Sequence, residues 1–535
     1  MVNYCTTWRA TWGAVLIICT ISLPSPCLAQ TTPTISAPAP QKLGKWRRAE
    51  TEHFIFYSDG SESDLRANAI KLERFDLLMR GVTGADSQET PIKLTVYFVR
   101  SPYAVQSLYS AKNINVSGFY FASIGGAYAV VPRHMDGYDQ GDNEYANIED
   151  VVLFHEYAHH LMLQYFQVAY PAWYVEGFAE YISNTRIDSA GNAKYALPNA
   201  SRAYSLFNSS DMPIEKLLSS RGADLKGDQI YSFYARAWLL THYLHNAPTR
   251  DGQLIAYLAL VRQGTPSLAA AKSTFGDLKK LSAALETYLN GGMIYQKTLK
   301  PLPEPKPFAV NQLSEASSSI VLLRLKLTSG TNAKEREPIA AELRLLAAKY
   351  ADNADVLTCL AEAELDLTNY TASSAAADAA IQLDPQNSRA LIWKALSLAR
   401  PLRLAKDFDA AKWKEVRSWI LKANRANPDD PRPLFEYYLS QISTGKPPSD
   451  NAIMGLAQAV ALVPQEQSMR ITYASALANQ KKYDAAIAAI AVVANNPHGG
   501  GASDYARQMI AKITAAKAAN TIPDFDEKKS DKLPN

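Results

Sequence analysis

The chain has 535 residues, more than one ordinary domain holds, so two or three domains are expected. Its hydrophobic fraction of 47% and charged fraction of 20% are those of a globular protein able to build real cores. A formal net charge of only +3, with no basic block, predicts no nucleic-acid partner and no strong attachment to a membrane surface.

In chain order, the first element is a secretory signal over 1–29. Arg9 is its only charge, an apolar run extends from Trp12 to about Leu23, and Cys27-Leu28-Ala29 offers small residues for cleavage after Ala29. The run is short for a stable membrane span. The chain is therefore expected to be exported, periplasmic or secreted, with an uncleaved N-terminal anchor as the alternative. Three of the four cysteines leave with that segment, so only Cys359, in an apolar helical pattern, remains, as a buried inert thiol. Residues 30–44 are rich in Pro, Ala and Thr and read as a disordered linker.

Globular composition begins near residue 45. HFIFYS (53–58) and IKLTVYFV (92–99) read as strands, with a helix near 62–81 between them. GFYFASIGGAYAVVP (118–132) reads as two strands joined by a Gly-Gly turn. Helices follow over 147–166, with Asn147 as N-cap, over 171–183, with Pro171 in the first turn, and over 230–246. Four prolines in KPLPEPKP (300–307) mark a boundary, and 300–312 is expected to be a linker.

The chain beyond it is rich in Ala and Leu. Pro385, Pro428, Pro464 and Pro497 recur at intervals of 43, 36 and 33 residues, each after a block of small and large apolar positions. Residues 313–517 therefore resemble tetratricopeptide repeats, pairs of antiparallel helices with small residues where they cross. A generic helical bundle is the alternative. The last residues, 518–535, are charged and read as a flexible tail.

Chemistry concentrates in FHEYAHHLMLQYFQVAYPAWYVEGFAEYIS (154–183). Charged and imidazole groups are costly to bury without partners. On a helix, His155 and His159 lie one turn apart on one face, where both can bind one metal, and Glu156 stands beside them as a base for a metal-bound water. Zinc needs a third protein ligand, and Glu176 follows His159 by 17 residues, enough to turn into the next helix. A buried polar cluster without metal is the plainer alternative. His160 faces away from His155 and reads as a partly exposed neighbour.

The stretch from Trp173 to Tyr181 resembles the glutamate-zincin metallopeptidases. Trp173, Glu176, Gly177, Phe178 and Ala179 match the segment carrying the third zinc ligand in aminopeptidase-N-like enzymes. The resemblance implies zinc, one per chain, held by His155, His159 and Glu176, with Glu156 as catalytic base. It implies that Glu180 accepts a hydrogen bond from His155. It also implies that Tyr234, at the start of an apolar helix, stabilises an oxyanion, with Tyr231 as the substitute. The family's amine-binding glutamate is missing from Gly126-Ala127-Tyr128-Ala129-Val130, so aminopeptidase activity is not implied.

The expectation is thus a multidomain chain. An α+β zincin-like metallopeptidase domain over 45–299 is followed by an all-α repeat domain of the tetratricopeptide type. Such a protein would be an exported peptide hydrolase acting on a peptide or protein substrate, with a possible protein partner on the repeats. A cell-wall cross-link is another possible substrate. The alternative is a non-catalytic repeat scaffold whose peptidase-like domain binds without cutting.

Overall fold

The computed structural model describes residues 6–7, 45–85, 92–108, 117–133, 148–166, 168–330, 332–496 and 500–525. The expected signal and linker lie outside these residues, apart from Thr6–Thr7, and so do the end of the tail, Asn147 and Pro497.

A single six-stranded sheet forms the N-terminal frame. Following a two-residue strand β1 (Thr6–Thr7), its members are β2 (Arg47–Glu50), β3 (Phe54–Ser58), β4 (Leu94–Val99), β5 (Phe119–Ser123), β6 (Gly126–Pro132) and β10 (Val310–Gln312), in the order β10-β2-β3-β4-β6-β5. The parallel pairs β3–β4 and β4–β6 are central, and the outer pairs are antiparallel. The 22-residue helix α1 (Glu62–Thr83) makes the crossover between β3 and β4. Strand alternation sorts the side chains. Phe54, Phe56, Val96, Phe98, Ala129 and Val131 face one core, with α1 and the helix α3 (Ile148–Tyr165). Tyr57, Tyr97, Val99, Tyr128 and Val130 face the opposite one.

The first core continues into α4 (Ala172–Ser183), whose residues are all buried, and into α5 (Ala200–Asn208), α6 (Ile214–Ser219), α7 (Gln229–Asn246), α8 (Gln253–Arg262), α9 (Ser267–Phe275) and α10 (Leu278–Gly291). A small antiparallel sheet joins β1, β7 (Arg186–Ile187), β8 (Ala193–Tyr195) and β9 (Ile294–Lys297) in the order β1-β9-β8-β7.

Eleven helices follow among the described residues: α11 (Glu315–Ser329), α12 (Ala333–Lys349), α13 (Ala354–Asp366), α14 (Tyr370–Leu383), α15 (Ser388–Leu404), α16 (Ala410–Ala426), α17 (Pro431–Ile442), α18 (Asp450–Leu462), α19 (Gln467–Asn479), α20 (Tyr483–Ala494) and α21 (Gly501–Ala519). Each packs on its neighbour in sequence. Pro385, Pro428 and Pro464 fall between one helix pair and the next, where a missing N–H and a fixed φ stop a helix. Asn387, Asp430 and Glu466 then cap the incoming helices through side-chain oxygens. Ala361, Ala377 and Ala380 are fully buried where helices cross closely.

The expected fold class needs correction. The chain is mostly helical, and it does not form a separate zincin-like α+β domain followed by independent repeats. The first repeat helix, α11, covers the second face of the sheet with Val321 and Leu325. The expected linker 300–312 supplies the edge strand β10. It is strapped down by hydrogen bonds such as Leu302 N–H to Gly191 O at 2.8 Å and Arg66 Nη1 to Phe308 O at 3.1 Å. Ile92, Ala122 and Ile124, from β4's approach and the β5–β6 hairpin, pack against Leu434, Phe435 and Leu456 of α17 and α18. The proline count flagged a boundary, but sequence could not show that apolar residues on both sides of it share one core.

Shared cores predict shared unfolding. Leu325→Ala is expected to cost about 2–5 kcal/mol, as for a buried leucine. In scanning calorimetry it should lower the midpoint of the N-terminal sheet and the repeats together; a shift confined to the repeats would show that the two parts unfold independently.

Candidate metal centre

Helix α3 presents Leu153, Phe154, Tyr157, Ala158, Leu161 and Met162 to the core, and Phe154 stacks on Phe75 of α1 with ring centroids 3.8 Å apart. Its register is locked from behind by polar groups. Tyr157 Oη donates to buried Asp76, Arg80 Nε donates to Asp76 Oδ2 at 2.8 Å, and Arg80 Nη2 donates to Tyr165 Oη at 2.5 Å. Asp76 also lies 3.3 Å from His53, whose Nδ1 is 2.7 Å from Glu73 Oε2. With the core face fixed, His155 and His159 turn to the opposite side, toward α4.

Helix α4 starts after Pro171, which serves as N-cap rather than first helical residue. It brings Glu176 to the two imidazoles. Nε2 of His155 and Nε2 of His159 are 3.1 Å apart, and Glu176 Oε2 is 3.7 Å and 3.5 Å from them. These three residues offer one donor atom each, all within 4.8 Å of one another. Tetrahedral zinc with bonds of about 2.0–2.1 Å places its ligand atoms about 3.3 Å apart. The donor triangle fits. The charges fit as well: Glu156, Glu176 and Glu180 bring three carboxyl groups into the site against one guanidinium, that of Arg202, and a divalent cation balances the surplus.

Burial and neighbouring charges move the site's titrating groups away from their ordinary values. Burial drives the His155 pKa down to about 4, against the opposing pull of Glu180, which keeps the imidazole neutral. Burial lowers the His159 pKa, but the charge and hydrogen bond of Glu176, with the charges of Glu156 and Glu180, together outweigh it and the net shift is upward. Burial pushes the Glu156 carboxyl up to about 7, while the backbone N–H of Tyr120, on the edge strand β5, donates to it.

Glu180 lies one turn beyond Glu176, with Oε1 3.5 Å from His155 Nδ1. It accepts from Arg202 Nη2 at 2.5 Å and from Asn199 Nδ2 at 3.1 Å. Neither Arg202 nor Asn199 was found from sequence. Asn199 also caps α5 through Arg202 N–H, and that cap pattern was the only available signal. Tyr234 enters from α7. Its ring lies 5.2 Å from the Arg202 guanidinium carbon, and the charge of Glu176 foremost, with burial, raises its pKa well above the ordinary range. Tyr231, the substitute, is 58% exposed.

Gly177 makes this arrangement possible. A Cβ there would fall 2.3 Å from Thr241 Oγ1 and 2.5 Å from the Ala237 carbonyl oxygen, so only glycine lets α4 and α7 approach this closely.

His160 is a correction. It is buried rather than partly exposed, 3.2 Å from Tyr120 Oη and 3.5 Å from Gln465 Nε2 on the loop between α18 and α19. His242 and His245 lie on α7 away from the cluster. His242 is held between Tyr288 Oη and the Ala196 carbonyl, and His245 stacks on Tyr181.

No protein-family model and no curated protein matches the chain. Three solved structures are similar to parts of the chain. A tetratricopeptide-repeat protein of Thermus thermophilus, TTC0263, is 18% identical with a TM-score of 0.29, covering 34% of this chain and 92% of its own. A double mutant of MamA RS-1 is 17% identical with a TM-score of 0.24, covering 40% of this chain and 99% of its own. Yeast Tom70 is 14% identical with a TM-score of 0.26, covering 71% of this chain and 76% of its own. None of these three structures is a zincin. The glutamate-zincin membership, the peptide-hydrolase function and the hydrolase vocabulary that the resemblance implied are therefore withdrawn. The motif behind them spans a few residues on two helices, too short a stretch to fix a family.

Two outcomes test the geometry. Gly177→Ala is expected to cost about 1–3 kcal/mol, because the new methyl meets backbone that cannot yield; an unchanged thermal midpoint would show that α4 and α7 are further apart. The second concerns pH. Burial lowers the His53 pKa, but Glu73 and Asp76 outweigh it and the net shift is upward from 6.5. The stability this group adds is fully present below pH 6.5 and fades as pH rises through the higher folded value. Urea titrations between about pH 6 and 8 should show that decline in the native chain and a flatter profile in His53→Gln.

Proposed function

We propose that this chain is a protein-binding scaffold of the helical-repeat type whose N-terminal part carries a zinc site. The observation that carries the reading is the run α11–α21, in which successive helices stack on their neighbours and leave side chains of several helices along shared grooves. One groove of about 680 Å³ runs between α14, α15 and α16, lined by Tyr370, Asp378, Leu398, Leu402, Lys412 and Glu415 among others. Its mixture of apolar and charged groups suits a polypeptide better than a small apolar molecule. No helix among the described residues is long and apolar enough to cross a membrane. The N-terminal signal pattern supports an exported location.

The experiment is affinity capture with the whole chain under crosslinking, in parallel with Leu398→Asp and Leu402→Asp. A discrete protein retained by the native chain and lost from both variants supports the reading. Retention unchanged in both variants, or no retained protein, overturns it.

His155, His159 and Glu176 would hold the zinc. When bound, zinc supplies a Lewis acid and lowers the pKa of a coordinated water to about 7. Around it, Glu180 would fix the His155 ring, and Glu156 and Tyr234 would meet a polar ligand from either side. Elemental mass spectrometry should find about one zinc per native chain, none in His155→Ala, and full occupancy in Glu156→Gln. A native chain without zinc would remove the metal from the reading and leave the repeat scaffold alone.

A further inference from the structure

We infer that Arg202 and Asn199, on and before helix α5, are positioning residues for the metal centre. They hold Glu180 against His155 and set the tightness of the site. This inference rests on the zinc reading above.

Glu180 is 2% exposed and sits between two demands. Its Oε1 is 3.5 Å from His155 Nδ1, and its two oxygens also take Arg202 Nη2 at 2.5 Å and Asn199 Nδ2 at 3.1 Å. A buried carboxylate that accepts charge-assisted bonds keeps its charge and one rotamer. A carboxylate held 3.5 Å from Nδ1 favours the His155 tautomer with its proton there, which leaves a lone pair on Nε2, the atom facing His159 and Glu176.

Arg202 does a second thing. Its guanidinium lies over the Tyr234 ring, 5.2 Å from the centroid, which ties α5 to α7. Its Nε is buried with no hydrogen-bond partner among the described residues. Asn199 works in both directions: Oδ1 accepts from Arg202 N–H at 3.0 Å and Nδ2 donates to Glu180. The cap that starts α5 is therefore the same side chain that anchors the metal's supporting carboxylate.

The test is zinc affinity, by competition with a chromophoric chelator, and the visible spectrum of the cobalt-substituted full chain. Arg202→Met and Asn199→Ala are expected to weaken zinc about 10–100-fold, the usual effect of losing an outer partner of a metal ligand. They should also change the cobalt d–d bands, which report ligand geometry. Arg202→Met combined with Glu180→Gln removes the uncompensated buried charge and guards against simple misfolding. It should fold, by circular dichroism, yet remain as weak for zinc as Arg202→Met alone. Zinc affinity within about twofold of native in Arg202→Met, or full recovery in the double variant, overturns the inference while leaving the zinc site standing. A native chain that binds no zinc removes both.

Discussion

Helix α4 is buried along its whole length and carries two carboxyl groups one turn apart. That is the constraint to which the surrounding elements answer. Glu176 and Glu180 are removed from water by the same apolar packing that holds Trp173, Phe178 and Ile182, so each needs compensation nearby. Helix α3 supplies two imidazoles, α5 a guanidinium with its capping amide, and α7 a phenol. Each supplier is held by something else: α3 by the Asp76–Arg80–Tyr157 network, α7 by the bare backbone of Gly177. The site is rigid because the groups that shape it are interlocked with two cores.

Those cores also explain why the repeats cannot be separated from the sheet. An open sheet buried on one face by α1 and α3 exposes tyrosines and valines on the other, and water is a poor cover for them. Helix α11 provides that cover. Further along, the β5–β6 hairpin meets α17 and α18, and Gln465 donates to Gln164 of α3 at 2.7 Å. An ion pair at 3.7 Å between Arg221 and Asp504 links the region before α7 to α21. The chain therefore touches its own N-terminal half at the beginning, middle and end of the repeat run.

Much of this was legible in the residues. Enrichment in β-branched and aromatic residues in HFIFYS and IKLTVYFV located strands whose opposite faces differ in what they pack against. The spacing of His155, His159 and Glu176 predicted a donor triangle that two helices do bring together. Short apolar blocks ending at Pro385, Pro428 and Pro464 marked helix pairs. What stayed hidden depended on long-range packing. Nothing in ASRAYSLFN (200–208) announces that Arg202 will reach Glu180, because the salt bridge spans 22 residues and a turn of undetermined direction. The burial of His160 depends on Gln465, 305 residues away. The fold class was misjudged for the same reason. Proline density reports where helices stop, whereas whether two segments share a core is decided by apolar faces that meet only after folding.

The contact of Gln465 with α3 has a physical consequence for a scaffold. His160 and Gln164 lie on the helix that carries His155 and His159, on the side turned toward the repeats. A side-chain amide that loses its partner in a dry interface costs roughly 1–3 kcal/mol, so the loop between α18 and α19 cannot shift freely while these contacts are intact. A polypeptide that rearranged α17–α19 on binding would have to disturb the back of α3, and occupation of the donor triangle would in turn stiffen α3 against that rearrangement. Linkage makes such effects equal in both directions. A partner seated in the groove at α14–α16 meets less of this resistance, because those three helices pack chiefly on one another and on their neighbours in the repeat run.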